Sequence, residues 1–145
     1  MLIDIFFHLL WKRRKEKSPD NGKSVGIDLG IETFATMSNG KKVKSPKPLK
    51  KKLKKLRRCQ RNLARKQKGS NRRNKARKRL AKVHAKVKDT RNDFLYKLST
   101  DVIRENQTVV LEDLNVSGMV KNRKLSRAIS DLGWRQFRTS TEAKV

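Results

Sequence analysis

Between Glu32 and Asp89 the chain carries no acidic residue at all, while lysine and arginine stand at nearly every second position, as in KPLKKKLKKLRRCQRNLARKQKGSNRRNKARKRL. By charge alone, a run of one sign that long reads as a disordered basic tail. Its apolar residues argue for order instead. Leu49, Leu53, Leu56, Gln60, Leu63 and Gln67 step by four and three, and after the break GSN the steps resume through Ala76, Leu80, Val83, Val87, Thr90 and Phe94. This spacing predicts a helical hairpin over 46–106 with a narrow apolar seam. Gly69 suits the exit of the first helix, Ser70 or Asn71 can cap the second, and Pro46 and Pro48 stand at the hairpin's start, where a missing N–H costs little.

Across the 145 residues, 40 Lys plus Arg oppose 13 Asp plus Glu, a formal charge of +27. That excess exceeds what solubility requires and repels itself unless a polyanion is bound, so nucleic acid is the expected partner. The residues best placed to meet phosphates are Lys54, Lys55, Arg57, Arg58, Arg61, Arg65, Lys66, Arg72, Arg73, Arg77 and Arg79. The alternative is the solvated face of an ordinary coiled coil, but such faces mix signs and this one does not. Cys59 is the one cysteine, so neither a disulfide framework nor a cysteine zinc site can be built within the chain, and His8 and His84 share no spacing with it.

The remainder reads as a small α/β domain. Residues 24–45 predict three strands, with Asn39-Gly40 as the tight turn between the last two. TVVLEDLN, residues 108–115, is an apolar run of strand length ending in two acids. One helix is expected over 126–137, burying Ala128, Ile129, Leu132 and Phe137, with Gly133 as its weak point. Residues 1–23 form a separate basic leader. Its apolar run is too short to span a membrane and its positive charges follow the run, unlike a secretory signal. It reads as a poorly ordered leader or the remnant of a preceding domain, with an interfacial helix as the alternative. The expected layout is a domain over 24–138, with 46–106 inserted, and a divergent tail at 139–145.

In a strand alternate residues share a face, so Val25, Ile27 and Leu29 point one way and Gly26, Asp28 and Gly30 the other. In the later strand Val110 and Glu112 share a face, opposite Val109 and Leu111. If the two strands are neighbours, Asp28 and Glu112 converge, and a divalent cation with oxygen preference relieves their repulsion. The glycines flanking Asp28 leave room for a metal or a phosphate backbone to come close. Spacing alone favours Asp28 as a strand-end turn residue and Glu112 as a solvent-facing acid.

The phrases GIDLGIETFATMSNG, KLRRCQRNLARKQKGSNRRNKARKRLAKVHAKV and NDFLYKLSTDVIRENQTVVLEDLNVSGMVKNRKLSRAISDLGWRQF resemble the central segment of the TnpB (OrfB) family. These transposon-associated proteins act as RNA-guided DNA endonucleases and are related to the compact RuvC-containing CRISPR effectors. The likeness runs from about Ser24 to Phe137. It implies a partial RNase H-like (RuvC) sheet interrupted by the basic hairpin. It also implies DNA and a guide RNA as partners, Mg²⁺ or Mn²⁺ as cofactor, no membrane, and a cytoplasmic, nucleoid-associated location in a prokaryote. The family's first metal-binding aspartate falls on Asp28 and its glutamate on Glu112. Asp113 faces away and takes no catalytic role.

The family's third carboxylate and its zinc ribbon of paired CxxC motifs have no counterpart in these residues. The expectation is a truncated or frameshifted copy, inactive alone. Two functions stand: a broken nuclease of this type, or a non-catalytic DNA- and RNA-binding protein that acts through the hairpin. A ribosomal-type basic protein fits the charge but gives no reason for the Asp28 and Glu112 strands.

Overall fold

The computed structural model describes residues 20–144. The reading of the leader falls almost wholly on residues 1–19, outside the described residues. Residues 20–23 are part of the fold, because the Lys23 carbonyl accepts from the backbone N–H groups of Gln107 (2.9 Å) and Thr108 (3.1 Å), and Gln107 Oε1 accepts from Gly22 N at 2.8 Å.

Four strands form one sheet: β1 (Ser24–Leu29), β2 (Thr33–Met37), β3 (Lys42–Lys44) and β4 (Thr108–Leu111). Their spatial order is β3-β2-β1-β4. β1 and β2 pair antiparallel, as do β2 and β3, whereas β1 and β4 are parallel. Parallel neighbours need a long crossover, and the hairpin is that crossover. Its helices are α1 (Pro48–Ala64) and α2 (Asn71–Glu105). At 35 residues α2 is about 50 Å long.

The expected chemistry of the turns holds. Gly40 takes φ +85° between β2 and β3, and Gly69 takes φ +81° between the helices. The Ser70 hydroxyl caps α2 by accepting from Arg73 N at 3.2 Å. α1 begins at Pro48 but has no cap of its own, since Lys47 sits at φ 44° with no side-chain hydrogen bond to the helix. The hairpin seam is narrower than its spacing implied. Leu56, Ala76, Val83 and Val87 are buried, while Gln60, Gln67 and Thr90 are exposed.

The main core lies on the Val25, Ile27, Leu29 side of the sheet. Phe34, fully buried, meets Phe94 of α2 edge-on at 5.1 Å and Phe137 edge-on at 5.4 Å. Leu95, Leu98 and Val102 continue this contact along the C-terminal half of α2.

Three expectations need correction after β4. The strand stops at Leu111, so both acids follow it. A short helix, α3 (Val116–Val120), comes next, with Asn115 Oδ1 accepting from Gly118 N at 3.0 Å. The single helix expected over 126–137 is two, α4 (Ser126–Leu132) and α5 (Trp134–Glu142), broken at Gly133 with φ +72°. The left-handed backbone at Gly133 ends α4, and a Cβ at this position would also crowd Arg91 Cδ (3.0 Å) and Leu95 Cδ1 (3.1 Å). The break turns Trp134 inward, to 3% exposure, beside Ile129, Leu132 and Phe137, while Ala128 is only half-buried. α5 then carries order past residue 138. Ser140, Thr141 and Lys144 are buried, and Lys144 Nζ donates to Tyr96 O (3.1 Å) and Ser99 Oγ (2.9 Å). Among the described residues no helix is long and apolar enough to cross a membrane.

Candidate carboxylate pair and nucleic-acid interface

The parallel register sets the site. Gly26 stands opposite Val110 and Ile27 opposite Leu111, so the next residues on the two chains are Asp28 and Glu112. Both are exposed on the face away from the core, where Val110 is 60% exposed. They line one cavity of about 530 Å³ together with Gly26, Thr36, Ser38 and Val110. Neither carboxylate is used in an ion pair with another described residue.

The glycines beside Asp28 do different jobs. At Gly26 a Cβ would find its nearest neighbour, Ser38 Cβ, 3.9 Å away, so this position leaves the face open. At Gly30 a Cβ would lie 2.8 Å from the Thr33 carbonyl oxygen. Gly30 therefore serves the tight link into β2, where its N–H donates to Phe34 O at 3.2 Å, rather than the approach of a ligand.

Asp113 borders a second cavity of about 620 Å³, with Glu112 on its rim beside Asn115, Trp134, Arg135 and Arg138. Its carboxylate binds the Arg138 guanidinium, whose Nε also donates to Glu142 Oε1 at 2.8 Å. These acids, Glu142 first and Asp113 second, raise the Arg138 pKa above its ordinary value. Asp113 is thus engaged with Arg138 on α5, away from Asp28. Among the described residues no group of three or more His, Cys, Asp or Glu side chains is arranged to hold a metal ion.

On the hairpin, Lys54, Lys55, Arg57, Arg58, Arg61, Arg65, Arg72, Arg77 and Arg79 are exposed, and Lys66 is half-buried. Lys54, Arg58, Arg61 and Arg65 recur every three or four residues and so form one stripe along α1. Part of that stripe, Arg58, Arg61 and Arg65, lines a cleft of about 380 Å³ with Asn62 and Lys66. Arg73 differs from the rest. Its Nη1 donates to the carbonyls of Leu63 (3.1 Å) and Lys66 (3.0 Å), closing the C-terminus of α1 against the start of α2. A basic run conceals such a role, since nothing in the pattern distinguishes Arg73 from Arg72. Arg138 and Glu142 were findable from their i, i+4 spacing on a helix; the pairing with Asp113 was not.

Comparison with known proteins agrees with the resemblance. The family profile OrfB_IS605, described as "Probable transposase", matches residues 8–123. A protein of Streptomyces pristinaespiralis named "Putative RNA-guided DNA endonuclease" is 47% identical over 139 residues, which cover 96% of this chain and 35% of that protein. The Escherichia coli protein named "Putative RNA-guided DNA endonuclease InsQ" is 34% identical over 129 residues, covering 79% of this chain and 32% of its own length. The chain thus spans about a third of the length of the curated relatives it matches. A profile match over most of its residues, on the strands and hairpin that build the site, places the chain in the OrfB_IS605 transposase family.

Proposed function

We infer that the chain supplies the carboxylate pair and the basic hairpin of an RNA-guided DNA endonuclease of the RuvC, RNase H-like type. One observation carries the reading: parallel pairing of β1 with β4 brings Asp28 and Glu112, 84 residues apart in sequence, to one open face and one cavity. Two exposed carboxylates beside the bare Gly26 suit Mg²⁺ or Mn²⁺, which take hard oxygen ligands and keep water at their other positions. When bound, such an ion would supply charge stabilisation to a phosphodiester. The hairpin's cations grip the phosphates of DNA and guide RNA, and a surface of this charge keeps the protein on the nucleoid, in the cytoplasm.

A second reading applies to these 145 residues taken alone. Two-metal hydrolysis holds two cations about 3.5–4 Å apart, and no third ligand joins Asp28 and Glu112 among the described residues. That favours binding without cleavage until a further carboxylate is supplied. The test incubates the purified chain with a matching guide RNA and labelled DNA in Mn²⁺. We expect Mn²⁺ binding that is lost in the Asp28→Ala, Glu112→Ala double variant, and no guided cutting above background. Cutting that disappears with Asp28→Ala would establish a complete nuclease and remove the second reading. Mn²⁺ binding untouched by the double variant would remove the carboxylate pair from both.

A further inference from the structure

Asp131, at 5% exposure, is the buried carboxylate among the described residues, and it joins three elements. Its Oδ1 accepts from Leu49 N at 2.9 Å and its Oδ2 from Lys50 N at 3.1 Å, so α4 caps the start of α1 from 81–82 residues away. The need is local. Lys47 sits in the left-handed region and offers no cap, and Pro48 has no N–H, so the first donors of α1 are those of Leu49 and Lys50. A carboxylate at this end also meets the positive end of the helix dipole. From α2, Arg91 Nη2 reaches Asp131 Oδ1 at 3.3 Å and Arg91 Nε donates to the Asp131 carbonyl at 3.0 Å. Gly133 leaves the space through which the Arg91 methylenes pass, and Gln136 Nε2 donates to Asn92 Oδ1 at 2.8 Å as a second tie between α5 and α2.

We propose that Asp131 is a positioning residue, clamping the base of the basic hairpin to the helices behind the sheet and thereby setting where a gripped strand runs relative to the Asp28 and Glu112 face. The significance of that direction rests on the function proposed above; the clamp itself does not. Without the carboxylate, α1 loses both acceptors at its start while α2 stays anchored through the core. The hairpin is then free to splay at its base, although every phosphate-binding side chain remains on it.

The test uses the full chain with Cys59→Ser, Gln60→Cys on α1 and Lys42→Cys on β3, spin-labelled at the two new cysteines for distance measurement without nucleic acid. The parent should give one narrow distance distribution. Asp131→Ala should broaden or shift it, and lower Tm by about 10 °C, because the N–H groups of Leu49 and Lys50 and the Arg91 guanidinium lose their carboxylate acceptor. Adding Lys47→Gly, which relieves the left-handed backbone, should recover part of that Tm without restoring the distance. This separates positioning from stability. Asp131→Asn, which keeps the volume and one acceptor oxygen, should give an intermediate distribution and covers the case in which the Ala variant does not fold. With a bound labelled strand, Asp131→Ala should leave the salt dependence of affinity unchanged and cut photocrosslinking from a probe at Lys42→Cys several-fold. A parent-like distance distribution in the folded Asp131→Ala or Asp131→Asn chain overturns the clamp. Loss of salt-dependent binding in the parent would instead remove the functional reading and leave the clamp standing.

Discussion

Around Phe34 the side chains of β1, β2, α2, α4 and α5 close on one another, whereas the outer part of the hairpin has only two helices and a thin apolar seam between them. The sheet end buries rings and branched chains on several sides. The outer hairpin buries Leu56, Ala76, Val83 and Val87, and every charged side chain from Pro48 to Lys88 is cationic. A core of the first kind holds its shape unaided. An arm of the second kind carries unrelieved repulsion until a polyanion neutralises it, so its order and its binding are linked. One region is built to stay fixed and the other to grip.

Salt should expose this difference most strongly. If six to ten hairpin cations contact phosphates, affinity for nucleic acid should fall by about 10³–10⁵ between 50 and 200 mM salt, while Tm of the free chain should not fall. Replacing Arg58, Arg61 and Arg65 by Ala should reduce the slope of log K against log salt by roughly 2–3, with little dependence on base sequence. Fluorescence titration across a salt series measures it, and an unchanged slope would make the stripe a solvated face only. Arg73 is unsuited to this comparison, because its removal would also open the hairpin's turn.

Next come the cores. Phe137→Ala should cost about 3–5 kcal/mol, because the cavity it leaves beside Phe34 is walled by rigid elements. Val83→Ala in the seam removes two methyl groups and should cost about 1.5–2 kcal/mol. Denaturant titration of the two variants checks the contrast. Equal costs would mean that the hairpin is as tightly packed as the sheet end, and the distinction would fail.

What was legible in the residues follows the same division. Period-two alternation in SVGIDL, the apolar run TVVL and the three-four stepping of the hairpin are local patterns, and they appear in the structure as strands and helices. The parallel pairing of β1 with β4 was legible because a crossover of helices favours parallel neighbours. Interactions set by distance in the chain were not legible. Asp131 and Arg91 are 40 residues apart, and neither type nor spacing distinguishes them from surface charges. Gly133 reads as a weak point from sequence alone, but the crowding of that position by Arg91 and Leu95 of another helix does not. Trp134 was missed because the single-helix reading leaves no cause for it to turn inward.

Gly133→Ala tests that break. A non-glycine residue at φ +72° costs about 1–2 kcal/mol, and the added Cβ would also press on Arg91 and Leu95. Thermal unfolding should show the loss, with parent-like Tm as the outcome that would place Gly133 outside the fold's requirements. Because Gly133 belongs to the sheet end, the whole cooperative transition should move.

The smallest effect is expected at the hairpin's tip. Ser70→Ala removes the acceptor that α2 uses for Arg73 N, a loss of about 1 kcal/mol. The Ser70 hydroxyl also donates to Gln67 O at 2.8 Å, so the turn after α1 loosens as well. The tip lies outside the cluster built around Phe34, and regions with few buried contacts open locally without global unfolding. Ser70→Ala should therefore speed hydrogen exchange at Asn71–Lys75 by several-fold while exchange at Leu95–Ile103 and the global Tm stay near the parent values. If instead the slow amides of Leu95–Ile103 accelerate to the same degree, the tip and the core open together. The hairpin would then be part of one cooperative unit, and the grip could not loosen without loosening the sheet that carries Asp28.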